Sequence, residues 1–143
     1  MKEKKIRRDG QKSGLAGELF VAAELLKREW QVSLTMGNAK SIDLFVQKHD
    51  MSRAVTVQVK TLRSSNCYPI GVQDVNTEQI YVFVLLHKPG EAVEYFILPG
   101  QHMTDHPQEL WGEDGGQSDF AGITIGRIRP FKDNWEVFDD AMK

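Results

Sequence analysis

The sequence is poor in cysteine, with Cys67 as its only thiol. One thiol excludes an internal disulfide and any zinc site built on several cysteines, and it fits a reducing compartment. No apolar run approaches the roughly 18 residues that a membrane-crossing helix requires. The opening stretch MKEKKIRRDGQKSG is basic but has no apolar segment behind it, so it does not read as a secretory signal, and a cytoplasmic protein is expected. Repeats, linkers and low-complexity blocks are absent. Net charge is also nearly absent, at -2. What remains is an ordinary globular composition over 143 residues. A chain of that size buries roughly 68–70% of its unfolded surface and needs no staple. One domain is expected over residues 13–143, behind a basic arm at residues 1–12.

The charge is unevenly placed. Residues 1–12 hold Lys2, Lys4, Lys5, Arg7, Arg8 and Lys12 against Glu3 and Asp9, a balance of +4 that leaves -6 for the remainder. Such an arm can neutralise phosphates, or it can be a solvated terminus.

Residues 13–29 predict a helix capped by Ser13, with Leu15, Leu19, Ala22, Ala23 and Leu26 at three- and four-residue spacing as its buried face. Glu18 borders that face, and a half-buried carboxylate needs a partner. Residues 30–36 (WQVSLTM) predict a first strand, Gly37-Asn38 a turn, and residues 41–47 (SIDLFVQ) a second strand. There Ile42, Leu44 and Val46 share one face, opposite Asp43 and Phe45. After a polar loop at 48–53, residues 55–62 (VTVQVKTL) predict the third strand, so that the second and third form a hairpin. Strand side chains alternate between faces. Val55, Val57 and Val59 therefore share one face, and Thr56, Gln58, Lys60 and Leu62 the other. An amide and an ammonium then project side by side, roughly 6.5–7 Å apart.

Residues 64–79 read as irregular, with a short helix near their end. Residues 80–86 (IYVFVLL) are continuously apolar, as in a central strand covered on both faces. A strand at 92–98, a helix at 103–111, a loop at 113–118, a last strand at 123–128 and a helix at 134–142 complete the reading. Together these elements predict an α/β fold, a central sheet with helices packed on it.

Among other candidates, His102 and His106 stand at i,i+4 but in a doubtful helix, and with His49 and His87 they read as surface histidines. Gly14 and Gly17 do not form a phosphate loop, because no strand leads into them and no GK[ST] follows. Trp111, Phe131 and Trp135 read as packing residues, and Ser13 has no His and Asp beside it to activate it.

Glu18 on a helix, Asp43 in the second strand and Gln58-x-Lys60 in the third give an ordered set. In the segments GELFVAAELL, SIDLFV and VTVQVKT this order resembles the PD-(D/E)xK nuclease superfamily of restriction enzymes and Holliday-junction resolvases, over roughly residues 13–98. The resemblance implies a restriction-endonuclease-like αβββαβ core with a mixed sheet. It implies a metal-dependent DNA endonuclease with Mg²⁺ or Mn²⁺ held by Asp43, Gln58 and the Val59 carbonyl. Lys60 would position the attacking water, and Glu18 would act through a second metal or a water. Lys5, Arg7, Arg8, Lys12, Lys40, Arg53 and Arg63 would contact DNA. Two departures stand out. Gln58 occupies a position that is usually acidic, which removes charge from the metal site, and Ile42 stands where proline is common. The expected partners are DNA and a second copy of the chain, with a larger defence or mobile-element complex as a further class. The alternative is an inactive nuclease-fold protein that binds DNA or a protein.

Overall fold

The computed structural model describes residues 10–35, 43–50, 52–64 and 66–143. The expectations for Lys5, Arg7, Arg8, Lys40, Ile42 and the Gly37-Asn38 turn lie outside the described residues.

A five-stranded sheet organises the molecule. It contains β1 (Gln31–Leu34), β2 (Leu44–Gln47), β3 (Ala54–Leu62), β5 (Ile80–Leu85) and β6 (Glu94–Pro99), in the order β1-β2-β3-β5-β6. The pairs β1–β2, β2–β3 and β5–β6 are antiparallel, whereas β3 and β5 are parallel, so the sheet is mixed. The hairpin of β2 and β3 forms as the alternation predicts, with Leu44 opposite Val57 and Val46 opposite Val55. All six residues of β5 are buried, as its unbroken apolar run requires of a strand covered on both faces. Among the described residues, the parallel crossover from β3 to β5 carries only the two-residue strand β4 (Cys67–Tyr68) and a 3-10 turn at Val72–Asp74 in place of a longer helix.

Two cores follow from the alternation. On one face, Val57 and Val59 of β3 and Ile80, Val82 and Val84 of β5 pack with Val21, Ala22 and Leu25 of α1 (Gly10–Lys27) and with Val137 and Phe138 of α5 (Glu136–Ala141). On the other face, Tyr81, Phe83 and Leu85 meet Tyr68, Met103, Leu110 and Ile123. These come from β4, its antiparallel partner β7 (Ile123–Thr124), and the short helices α2 (Gly100–Asp105) and α3 (Pro107–Trp111).

The structure corrects several expectations. Helix α1 starts at Gly10, so Ser13 lies inside it and is not its cap. Its buried face is Gly17, Val21, Ala22 and Leu25, while Leu15, Leu19 and Leu26 are about half exposed. Apolar residues line two sides of this helix, and spacing alone cannot choose between them. Close approach settles the choice: a Cβ at Gly17 would lie 2.9 Å from Thr61 Cβ, so only glycine lets the helix sit this near β3. The helix foreseen at 103–111 is two helices, because Pro107 lacks an amide hydrogen and starts a new one. The strand foreseen at 123–128 turns after Thr124 into α4 (Ile125–Ile128).

Candidate functional site

Asp43 stands at the entrance to β2, and its backbone is held from two sides. Its N–H donates to the Val57 carbonyl at 3.0 Å, and its own carbonyl accepts from the Thr35 N–H at 3.1 Å and the Thr35 hydroxyl at 3.2 Å. Its carboxylate takes a strand partner's place: the Val59 N–H donates to Asp43 Oδ2 at 2.8 Å. A strand residue sends its N–H and C=O to the same side. The Val59 carbonyl therefore points toward the β2 edge, where Asp43 lies.

Glu18 reaches the same place from α1. Gly17 seats the helix on Thr61, and this brings Glu18 beside the Asp43 carboxylate. Burial first, then the Asp43 charge and the hydrogen bond between the two carboxyl groups, push the Glu18 pKa above its ordinary value of 4.5. The partner that half-burial of Glu18 demanded is thus a second carboxyl group.

Gln58 and Lys60 flank Val59 on the other face of β3, and both are half-buried. Among the described residues Lys60 makes no ion pair or hydrogen bond. Gln58 Nε2 donates to Gln79 Oε1 at 2.9 Å. Gln79 is the one buried polar side chain among the described residues, 3% exposed just before β5. Sequence reasoning missed it because it ends an irregular stretch. Its signal was a polar side chain directly ahead of a fully apolar strand.

Glu18, Asp43 and the Val59 backbone thus meet at the junction of β2, β3 and α1, while Gln58 and Lys60 leave β3 from the face opposite α1. The basic candidates are more scattered. Arg63 Nε donates to Ser13 Oγ at 2.7 Å, at the start of α1, and Lys12 is exposed on that helix. Arg53 lies at the far end of the hairpin, where its guanidinium donates to the Lys143 carbonyl. The histidines are engaged elsewhere, His102 with Glu109 at 2.8 Å and His87 with Glu94 at 2.7 Å. Trp111 and Trp135 are buried packing residues, as expected.

The donors near this junction are oxygens: two carboxylates and one backbone carbonyl, with the Gln58 amide on the residue beside Val59. No group of three His, Cys, Asp or Glu side chains able to hold a metal ion occurs among the described residues. The set suits a hard cation, which prefers oxygen ligands and takes only one or two carboxylates from protein.

No protein-family model matches the sequence, and no curated protein is similar to it by sequence. Solved structures are similar in shape. A bacterial homing endonuclease superposes with a TM-score of 0.60 at 16% identity, over 92% of each chain. Hjc, a Holliday junction resolvase from Archaeoglobus fulgidus, superposes with a TM-score of 0.52 at 15% identity, over 82% of this chain and 88% of the other. Both are nucleases of one architecture, and the mixed five-stranded sheet described above matches it. The chain has the restriction-endonuclease-like fold that these two nucleases share.

Proposed function

We propose that this protein is a metal-dependent DNA endonuclease whose centre is Asp43, Gln58, Val59 and Lys60, supported by Glu18. The observation that carries the proposal is the Asp43 carboxylate held on the N–H of Val59, the residue between Gln58 and Lys60, with the Glu18 carboxyl beside it. Two carboxyl groups placed together in a half-buried site repel when ionised, and a cation between them relieves that repulsion. Asp43, the Val59 carbonyl and the Gln58 amide oxygen would hold Mg²⁺ or Mn²⁺, with Glu18 reaching a second ion or a bound water. A divalent cation held there would supply a lowered water pKa and charge neutralisation at the phosphoryl oxygens. Lys60 holds the attacking water and stabilises the charge that develops at phosphorus. Lys12, Arg63 and the basic arm with Lys5, Arg7 and Arg8 grip the phosphate backbone, together with Lys40 and Arg53. Such contacts fix position and carry no sequence information. A cytoplasmic location, with access to DNA, belongs to the same reading.

Severing a duplex takes two cuts, so the working form is a homodimer. The outer stripe of α1 supports it, because a helix apolar on both sides needs cover on both.

A second reading is a non-cutting DNA- or protein-binding protein. The neutral Gln58 in place of a third acid favours it. Incubation with supercoiled, linear and branched DNA in Mg²⁺ or Mn²⁺ decides between them. The nuclease reading expects cleavage that falls by about 10²–10³-fold or more in Lys60→Ala, the usual loss for a charge-stabilising group. DNA binding with no cleavage under either metal supports the second reading.

A further inference from the structure

An amide is a different ligand from the carboxylate it resembles. A carboxylate presents two equivalent oxygens, so it coordinates whichever way it turns. An amide has one oxygen that can coordinate and one NH₂ that repels a cation. A glutamine placed in a metal site therefore works only if something fixes which end faces the ion.

The structure supplies that fixing group. Gln58 Nε2 donates to Gln79 Oε1 at 2.9 Å. Gln79 precedes β5, on one side of β3, whereas Asp43 opens β2 on the other side. Holding the Gln58 nitrogen toward β5 turns the oxygen on the opposite branch toward β2, the side of Asp43 and the Val59 carbonyl. Gln79 is itself immobilised. Its side chain is buried, its N–H donates to the Asn76 carbonyl at 3.2 Å, and its carbonyl accepts from the Gly100 N–H at 2.8 Å. Gly100 closes this clamp, since a Cβ there would lie 3.0 Å from the Gln79 carbonyl oxygen and closer still to that of Asn76. The β3–β5 register then sets the clamp against the site, with Gln58 opposite Tyr81, two residues beyond Gln79.

We propose that Gln79 is a positioning residue that orients the Gln58 amide so that its oxygen faces the cation, and that this pair is what lets glutamine serve where a carboxylate is usual. The proposal rests on the metal-site reading above. It concerns the amide alone and predicts that the need for Gln79 disappears once residue 58 is a carboxylate.

Four proteins test it: wild type, Gln79→Met, Gln58→Glu and the double variant. Methionine keeps the length and burial of residue 79 and removes the acceptor. Three readouts are taken on the folded proteins: Mn²⁺ affinity by direct titration without DNA, the thermal midpoint without metal as a check of folding, and, where residue 58 is Gln, its side-chain NH₂ resonances. We expect Gln79→Met to weaken Mn²⁺ binding by about twofold when residue 58 is Gln, as the competent amide orientation falls from most of the population to about half of it. With Glu at 58 we expect no change in affinity, because a carboxylate has no wrong orientation. In metal-free protein, the Gln58 side-chain NH₂ resonances should also lose their hydrogen-bonded shift in Gln79→Met. Equal loss of affinity in both backgrounds would mean a merely structural role and would overturn the proposal. So would unchanged affinity in Gln79→Met. Absence of Mn²⁺ binding in wild type would overturn the metal site itself, and Gln79's role with it.

Discussion

Single atoms decide how α1 meets the sheet. Gly17 faces Thr61, whose hydroxyl is buried and has no hydrogen-bond partner among the described residues. Gly17→Ala should therefore destabilise the protein by about 1–3 kcal/mol, as overpacking does, with the loss read by denaturant unfolding. Adding Thr61→Ala should recover part of that loss, because the truncation removes both the clash and the orphan hydroxyl. Full additivity of the two changes would contradict this packing. Glu94 illustrates charge at the same scale. The hydrogen bond from His87, then those from Lys132 and Arg129, hold its carboxyl below the ordinary value of 4.5. A carboxyl with a lowered folded pKa contributes stability above its unfolded value, and that contribution is lost as pH falls through the folded value. Glu94→Gln should accordingly be less stable than wild type at pH 7, and the gap should close as pH drops below about 4.5. A gap that persists in acid would show that the ion pairs contribute nothing there.

Elements differ in how well the sequence announces them. Strands β3 and β5 were legible because their patterns are local: period-two valines in one, an unbroken apolar run in the other. Alternation also placed Gln58 and Lys60 on one face, and the ordered set of Glu18, Asp43, Gln58 and Lys60 was readable before any contact was known. Gln79 was not, because its partner lies across a strand pairing whose register only the folded chain reveals. Helix α1 was legible as a helix but not in its orientation, since both of its sides are apolar and the deciding contact comes from Thr61 on another element. Its outer stripe yields a prediction at this scale. Leu19→Glu places a charge in the middle of that stripe and should shift the protein from dimer to monomer in sedimentation or light scattering. The helix itself should survive, because Leu19 is about half exposed and makes no part of the core. A wild type that is already monomeric at high concentration would contradict the dimer.

For the molecule as a whole, the small net charge of -2 conceals a basic start and an acidic remainder. If the arm grips phosphates, replacing Lys5, Arg7 and Arg8 by alanine should weaken DNA binding evenly across sequences. The slope of log affinity against log salt should then become shallower by about 3, roughly one for each lost contact. An unchanged slope would place the DNA elsewhere on the surface. The fold is that of nucleases, and its chemistry rests on whether one edge of the β2–β3 hairpin binds a cation. A crystal soaked in Mn²⁺ and measured for anomalous scattering tests that most directly. The account predicts a peak within coordination distance of the Asp43 carboxylate, the Val59 carbonyl and the Gln58 amide oxygen. A crystal with no peak there, or with its ordered ion bound elsewhere, would contradict it.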